Sequence, residues 1–203
     1  MLINSHFWDD KFSPDEYVYG EKPNDFLKSS LVDLKPGYIL FPGDGEGRNS
    51  VFAASLGWEV DALDWSVKAK HKAEMLAAKN NVTINYSASD FINSFNYEKK
   101  YDAIALIYLH LPSEVRAQYF SKLPDILNPG GKIILELFSK GQLGKNSGGP
   151  NNIDLLYSLE DVISDFIKLD FVLLEENEIV LDEGKLHSGP ASVIRFIGQK
   201  PLK

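Results

Sequence analysis

The chain has no cysteine. That excludes a disulfide framework, a thiolate-bound zinc and a thiol nucleophile. No stretch approaches the roughly 18 consecutive apolar residues that a membrane-spanning helix needs. The first residues, Met1-Leu2-Ile3-Asn4-Ser5-His6, carry neither the basic segment nor the apolar core of a secretory signal, so a cytoplasmic protein without a membrane partner is expected. Basic residues are in deficit, 21 Lys and Arg against 29 Asp and Glu, giving a net charge of −8. They are also scattered, so no counterion-releasing face is available for a nucleic acid. A small anionic substrate stays open, because one local arginine overrides a global field. Four histidines are present, at spacings that compose no metal site.

What is present is alternation. Residues 1–35 are mixed and aromatic, with Phe7, Trp8, Phe12, Tyr17, Tyr19 and Phe26, and Asn24 or Asp25 is placed to start a helix over 26–34. Strands are expected at 38–41, 58–63, 82–86, 101–109 and 132–138. Helices are expected at 46–56, 67–79, 112–127 and 159–169. Gly57 stops the first of these helices and Ser66 caps the next. Asn128-Pro129-Gly130-Gly131 forces a turn, and 139–152 is a Gly/Ser/Asn-rich loop. Two β-rich runs, 171–181 and 191–199, are joined by Asp182-Glu183-Gly184 without a helix and so pair antiparallel at the edge. The pattern predicts an α/β fold: a doubly wound, mostly parallel seven-stranded sheet with an antiparallel edge strand. With no internal repeat or linker, residues 1–203 read as one domain, in which 1–35 form an N-terminal helical cap.

The most informative segment is Gly43-Asp44-Gly45-Glu46-Gly47, between the first strand and its helix, with Asp64 at the tip of the second strand. Such a turn lets a ligand approach the backbone, and such an acid holds ribose hydroxyls, which points to an adenosine-containing cofactor. A dinucleotide needs G-x-G-x-x-G for its pyrophosphate. Here the spacing is G-x-G-x-G, and Arg48 stands where the third glycine belongs. Asp44 and Glu46 would repel a pyrophosphate and tolerate a cation. S-adenosylmethionine, a cation without phosphate, fits better; a ligand-free βα turn is the plain alternative.

These residues resemble class I S-adenosylmethionine-dependent methyltransferases, above all the small bacterial tellurite-resistance and thiopurine type, over nearly the whole chain. Tyr19-Gly20-Glu21-Lys22-Pro23-Asn24-Asp25-Phe26-Leu27 is similar to that family's opening segment. Gly43 through Asn49 resembles its cofactor loop, and Asp64-Trp65-Ser66 its second-strand acid. Leu109-His110-Leu111-Pro112 resembles the segment after strand 4, and Leu127 through Gly131 the turn before strand 5. Ser147-Gly148-Gly149-Pro150, Glu183-Gly184 and His187-Ser188-Gly189 resemble its late loops. One departure stands out: the family's acid two residues before the first loop glycine is replaced by Phe41, followed by Pro42.

The resemblance implies a Rossmann-like methyltransferase that binds S-adenosylmethionine through Gly43, Asp44, Gly45, Gly47, Asp64, Trp65, Asp90, Phe91 and Ile107. Asp64 accepts from the ribose hydroxyls, or is a solvated strand-end acid, or caps the next helix. Trp65 and Phe91 flank adenine, or simply pack. Asp90 accepts from the adenine amino group, or caps the segment after it. Ile107, Tyr108 and His110 border the transferable methyl. His110 orients or deprotonates an acceptor, or is structural; His187 ranks below it. Arg116 holds an anionic acceptor, or pairs at the surface with Glu114 or Asp125. Tyr19 and the aromatic cap cover the substrate. The acceptor is expected to be a small molecule: a thiol, a thiopurine, or a tellurium or selenium oxyanion. A non-catalytic adenosyl-cofactor binder and a nicotinamide-dependent oxidoreductase are the alternatives.

Overall fold

In the computed structural model, residues 5–93 and 98–202 are described; residues 1–4 of the expected cap lie outside them. The chain forms two compact units, residues 1–96 with 183–186, and residues 97–182 with 187–203.

The first unit begins with α1 (Ser5–Lys11) and α2 (Asp25–Val32). Asn24 caps α2 by accepting from the Leu27 amide, the role read from the sequence. Strands β1 (Tyr38–Pro42), β2 (Glu59–Asp64) and β3 (Asn85–Ala88) pair in parallel, in the order β3-β2-β1. Helix α3 (Arg48–Ser55) connects the first two strands and α4 (Val67–Lys79) the last two. Ser66 caps α4 as expected, accepting from the Ala69 amide. Ala69, Ala73, Leu76 and Ala77 form the buried face of α4. Strand β3 starts three residues later than expected. Asn81 takes a left-handed φ of 57° to end α4, and the Val82 amide still bonds back to Ala77. Val82 and Ile84 pack under the helix instead of pairing.

The second unit holds β4 (Tyr101–Ile107), β5 (Leu127–Phe138), β7 (Ser188–Gln199) and β6 (Asp170–Asp182), in that spatial order. Strand β4 runs parallel to β5, while β7 is antiparallel to both β5 and β6. The expected helix over 112–127 is shorter: α5 spans Ser113–Phe120, followed by a 3₁₀ turn, Leu123–Ile126. Pro124 is the reason, since it donates no amide and its ring collides with the carbonyl four residues back, that of Phe120. The expected turn at 128–131 is a bulge inside β5, where the register jumps from Tyr101↔Leu127 to Ala103↔Lys132. Helix α6 (Leu159–Asp165) begins with a reciprocal capping box between Ser158 and Asp161. The near-continuous apolar run of β4 is buried from Ala103 to Ile107, as a strand covered on both faces must be. No described helix is long and apolar enough to cross a membrane.

Candidate functional site

The glycine loop of the first unit is built from backbone held at four points. Gly43, Gly45 and Gly47 have φ of 67°, 61° and 88°, conformations that side chains oppose. The Gly43 and Asp44 amides donate to the Leu63 carbonyl at 2.7 and 3.1 Å. Tyr86 from β3 donates its hydroxyl to the Gly45 carbonyl at 2.6 Å. The Gly45 amide donates to Asp64 Oδ2 at 3.0 Å. Asp64 Oδ1 accepts from the Ser66 amide at 2.9 Å. Asp64 is buried, so a solvated strand-end acid is ruled out. It clamps the loop to the start of α4, while Phe41 on β1 is a core residue 2% exposed. Burial pushes the Asp64 carboxyl up to about 6, against the lowering effect of the Ser66, Gly45 and Trp65 amides.

The two loop acids have different fates. Asp44 Oδ2 accepts from the Ser50 hydroxyl at 2.5 Å, while its Oδ1 is shut off from solvent with no protein partner. Burial pushes this carboxyl up to about 7, with Ser50 opposing and Asp64 adding to the rise. Glu46 turns away from any ligand. Its Oε1 pairs with Lys72 at 2.6 Å, and its Oε2 accepts from the Val18 and Tyr19 amides at 2.9 and 3.4 Å. The expectation that both acids present charge to a ligand is therefore corrected: Lys72 neutralises Glu46, and only Asp44 stays in the loop.

Arg48 and Asn49 also serve the cap. Arg48 is buried and pairs with Glu183 at 2.7 Å; Glu183 in turn accepts from Asn24 Nδ2 at 2.9 Å. Asn49 Oδ1 accepts from the Asn24 amide at 2.9 Å. A β-carbon on Gly184 would stand 2.6 Å from the Gly20 nitrogen, so these two backbones touch directly. Three motifs far apart in sequence, 19–27, 43–49 and 183–184, thus meet in one unit. Phe12 packs against Gly45, with Trp8 stacked on it at 5.6 Å and Tyr19 edge-on at 6.3 Å.

Past β2, Trp65 stacks on buried Phe91 at 5.2 Å and 22°. Asp90 is exposed and caps the turn after it, accepting from the Ile92 and Asn93 amides and from Asn93 Nδ2. The Asn93 side-chain bond is the first cause that holds its carboxyl below the ordinary range.

In the second unit, Ile107 ends β4 in register with Glu136. Tyr108, the next residue, has a left-handed φ of 52°, a conformation costing a non-glycine residue about 1–2 kcal/mol. Its ring stacks on Phe138 at 4.6 Å and meets His187 edge-on at 4.6 Å. His110 stacks on Phe138 at 5.5 Å, and its Nδ1 lies 2.7 Å from the Leu155 carbonyl. A carbonyl only accepts, so Nδ1 carries a proton there. His187 is buried in the same aromatic group. The loop over 139–152 is held to β7 by buried Gln142, which accepts from the Ser192 amide and donates to Ser147 Oγ and the Gly148 carbonyl.

Arg116 is corrected. It is 7% exposed and pairs with Asp161 at 3.2 Å and Asp165 at 2.8 Å, anchoring α5 to α6. The expected partners Glu114 and Asp125 are not the ones it takes. A guanidinium held by two carboxylates ties two helices together, which is the paired alternative with other partners. Arg116→Ala is expected to lower stability by about 3 kcal/mol, because it strands Asp165 in the interior. It should leave the KM of any methyl acceptor unchanged. Urea denaturation alongside steady-state kinetics checks both.

Reading the sequence missed what Tyr86 and Lys72 do at the loop, and the pair that buried Glu136 makes with Arg195 at 2.6 Å. Tyr86 carried no signal beyond lying in a strand. Glu136 and Arg195 did: each is a charge inside an otherwise apolar run.

Fold and family match together make the chain a class I S-adenosylmethionine-dependent methyltransferase. The model of the tellurite resistance protein TehB family matches residues 6–147, and the chain belongs to that family. Among solved structures it is similar to TehB from Haemophilus influenzae, at 17% identity and a TM-score of 0.72, covering 97% of this chain and 66% of that one. It is similar to the N-methyltransferase NodS from Bradyrhizobium japonicum WM9, solved with S-adenosyl-L-homocysteine, at 14% identity and a TM-score of 0.72, covering 97% and 98%. A third likeness, at 14% identity and a TM-score of 0.79, covers 98% of this chain and 92% of a protein described for the conversion of a disulfide bond into a thioacetal group during echinomycin biosynthesis. No curated protein matches the chain.

Proposed function

We propose that the chain methylates a small molecule, with residues 1–203 acting as one domain and 1–35 as its cap. The observation that carries this reading is the glycine loop, clamped by Asp64 and holding the partnerless Asp44 Oδ1. A loop of this chemistry fits a cationic, phosphate-free adenosyl cofactor. Bound there, S-adenosylmethionine supplies a methyl group already activated by its sulfonium. Gly43, Gly45 and Gly47 let it approach the backbone. Asp64 keeps lone-pair capacity for the ribose hydroxyls beyond the backbone amides it accepts. Trp65 and Phe91 supply an aromatic wall for adenine beside Asp90, and Ile107 an apolar border.

In-line displacement from a sulfonium asks the protein mainly for alignment and exclusion of water. The aromatic cap on Gly45 serves the second requirement. His110, with Nδ1 pinned by Leu155, is held in place to border the acceptor. The acceptor class is a thiol, a thiopurine, or a tellurium or selenium oxyanion.

A second reading, a non-catalytic adenosyl-cofactor binder, is favoured by Phe41, which fills the core where the family's acid would stand. Incubation with radiolabelled S-adenosylmethionine and thiol, thiopurine, tellurite and selenite acceptors separates the two. Label transfer to any of them is the expected result; cofactor binding with no transfer supports the second reading.

A further inference from the structure

We infer that Lys11 is the cap's own contact with the cofactor: its ammonium takes the carboxylate of the aminoacyl group of S-adenosylmethionine. The inference rests on the methyl-transfer reading above, and every residue it uses lies in the first unit.

The sequence puts Trp8, Lys11 and Phe12 on one face of α1, three and four residues apart. Asp9 fixes that helix to the start of α4. Its Oδ1 accepts from the Ser66 hydroxyl at 2.6 Å and from the Lys68 amide at 3.3 Å. The face carrying Phe12 is turned to the glycine loop, where the Phe12 ring comes within 3.3 Å of the place a β-carbon on Gly45 would take. Lys11 Nζ lies 5.1 Å from the centre of the Trp8 ring and 5.4 Å from that of Tyr19. The Tyr19 hydroxyl, at the other end of that ring, lies within electrostatic reach of Glu46, Arg48 and Asp64. One tyrosine therefore spans from the ammonium to the loop.

Two aromatic faces hold a cation in place without neutralising it. That sets Lys11 apart from the other lysines and arginines described in this unit. Beside the loop, Arg48 is taken by Glu183 and Lys72 by Glu46. Farther off, Lys70, Lys79 and Lys185 pair with Glu74, Glu21 and Glu16, and Lys68 lies beside Asp9. Lys22, Lys28 and Lys35 are exposed. Lys11 is the one drawn partly out of water and given no carboxylate. Burial holds its ammonium below the ordinary lysine range, with no neighbouring acid acting against the shift. An arriving carboxylate offsets that cost. The four-carbon stem lets the ammonium follow a ligand while the rings stay where they are.

The cofactor supplies the complement. Its aminoacyl end carries an ammonium and a carboxylate beside the cationic sulfur. Asp64 and Asp44, whose Oδ1 has no protein partner, suit the cationic groups. A carboxylate set among those acids is repelled unless a cation faces it from the other side. The cap presents that cation. A ligand that lacks only the carboxylate therefore isolates what Lys11 does from what the loop does.

The test is calorimetry with S-adenosylhomocysteine and with its decarboxylated analogue, which keeps the ammonium. Wild type, Lys11→Met and Lys11→Arg are compared. Methionine keeps an apolar stem over Trp8 and Tyr19, and arginine keeps the charge. Wild type should prefer S-adenosylhomocysteine to the analogue by about 30-fold, the scale of a hydrogen bond between charged groups. In Lys11→Met that preference should shrink to about twofold, with affinity for the analogue unchanged, because the two deletions remove the same contact. Lys11→Arg should restore most of the preference. A purely structural role in the cap would weaken both ligands alike and leave the preference intact, which would overturn the assignment. So would a wild type without the preference, or a Lys11→Met that binds S-adenosylhomocysteine as well as wild type, the result expected if the ammonium serves an anionic acceptor instead. When wild type binds S-adenosylhomocysteine, any of these failures leaves the methyltransferase reading standing; when it does not, both fall.

Discussion

Gly47→Ala is expected to lower the stability of the protein by about 4 kcal/mol, through two costs that add. Gly47 has a φ of 88°, and an alanine there pays roughly 1–2 kcal/mol for the backbone conformation alone. Its β-carbon would also stand 2.5 Å from Ala73 Cβ and 2.8 Å from Ala73 Cα. Ala73 is fully buried on α4, and the obstruction includes backbone, so no flexible side-chain tip can move aside. Overpacking of this kind costs about 1–3 kcal/mol. Gly57→Ala is the matched control: its φ is 92°, yet nothing lies within 4 Å of the added carbon, so only the conformational cost of roughly 1–2 kcal/mol remains. Thermal melts of the two variants check the difference. Equal destabilisation would mean that α3 and α4 do not pack as tightly as described.

Affinity for S-adenosylmethionine is expected to rise about tenfold or more between pH 5.5 and 7.5, with protons released on binding. Burial raises Asp44 to about 7 and Asp64 to about 6, from an ordinary 3.8. The sign follows from linkage. The folded loop keeps protons that the unfolded chain gives up near pH 4, so these groups stabilise the fold most at low pH. That contribution is lost as pH rises through 4 to 7. A cation bound beside the carboxyls favours their ionised form, and so must displace the same protons. Glu46 does not join this titration, because Lys72 neutralises it. Among the other charges near the loop, Arg48 lowers Asp44, and Asp9 raises Asp64. Asp44→Asn keeps the shape and should flatten the profile, leaving only the smaller part due to Asp64. Calorimetry in buffers of different ionisation enthalpy counts the protons directly. A pH-independent affinity in wild type would show that Asp44 is not beside the bound cation.

Much of the fold was legible because local chemistry and tertiary placement agreed. Asn24 and Ser66 cap the helices they precede, and the buried β4 reads as an unbroken apolar run. The two final runs, lacking a helix between them, pair antiparallel. Element ends were legible only where a residue dictates them. Pro124 ends α5 and was overlooked, while the late start of β3 depends on how Asn81 closes α4, which no pattern in 82–86 reveals. For the candidate site, the glycine loop and Asp64 stood out by type and spacing. What each charge does there did not, because that depends on its partner. Glu46 and Asp44 look alike in sequence; Lys72, 26 residues away, makes them opposites. Arg116 read equally as an acceptor ligand or as half of an ion pair, and its partners, Asp161 and Asp165, lie 45 or more residues away where no local spacing points to them. Glu136 and Arg195, 59 residues apart, become a pair only through the register of β5 and β7.

The Gly43–Gly47 loop, organised from Asp64, is expected to hold the adenosyl cofactor. The direct measurement is a calorimetric titration with S-adenosylhomocysteine and, separately, with NADH, for wild type and for Asp64→Ala. Wild type should bind S-adenosylhomocysteine at one site per chain and not bind NADH. Asp64→Ala should remain folded by circular dichroism yet lose about 100-fold or more in affinity, since both the Gly45 clamp and the ribose acceptor go together. Binding of S-adenosylhomocysteine undiminished by Asp64→Ala, or its absence from wild type, would contradict the account.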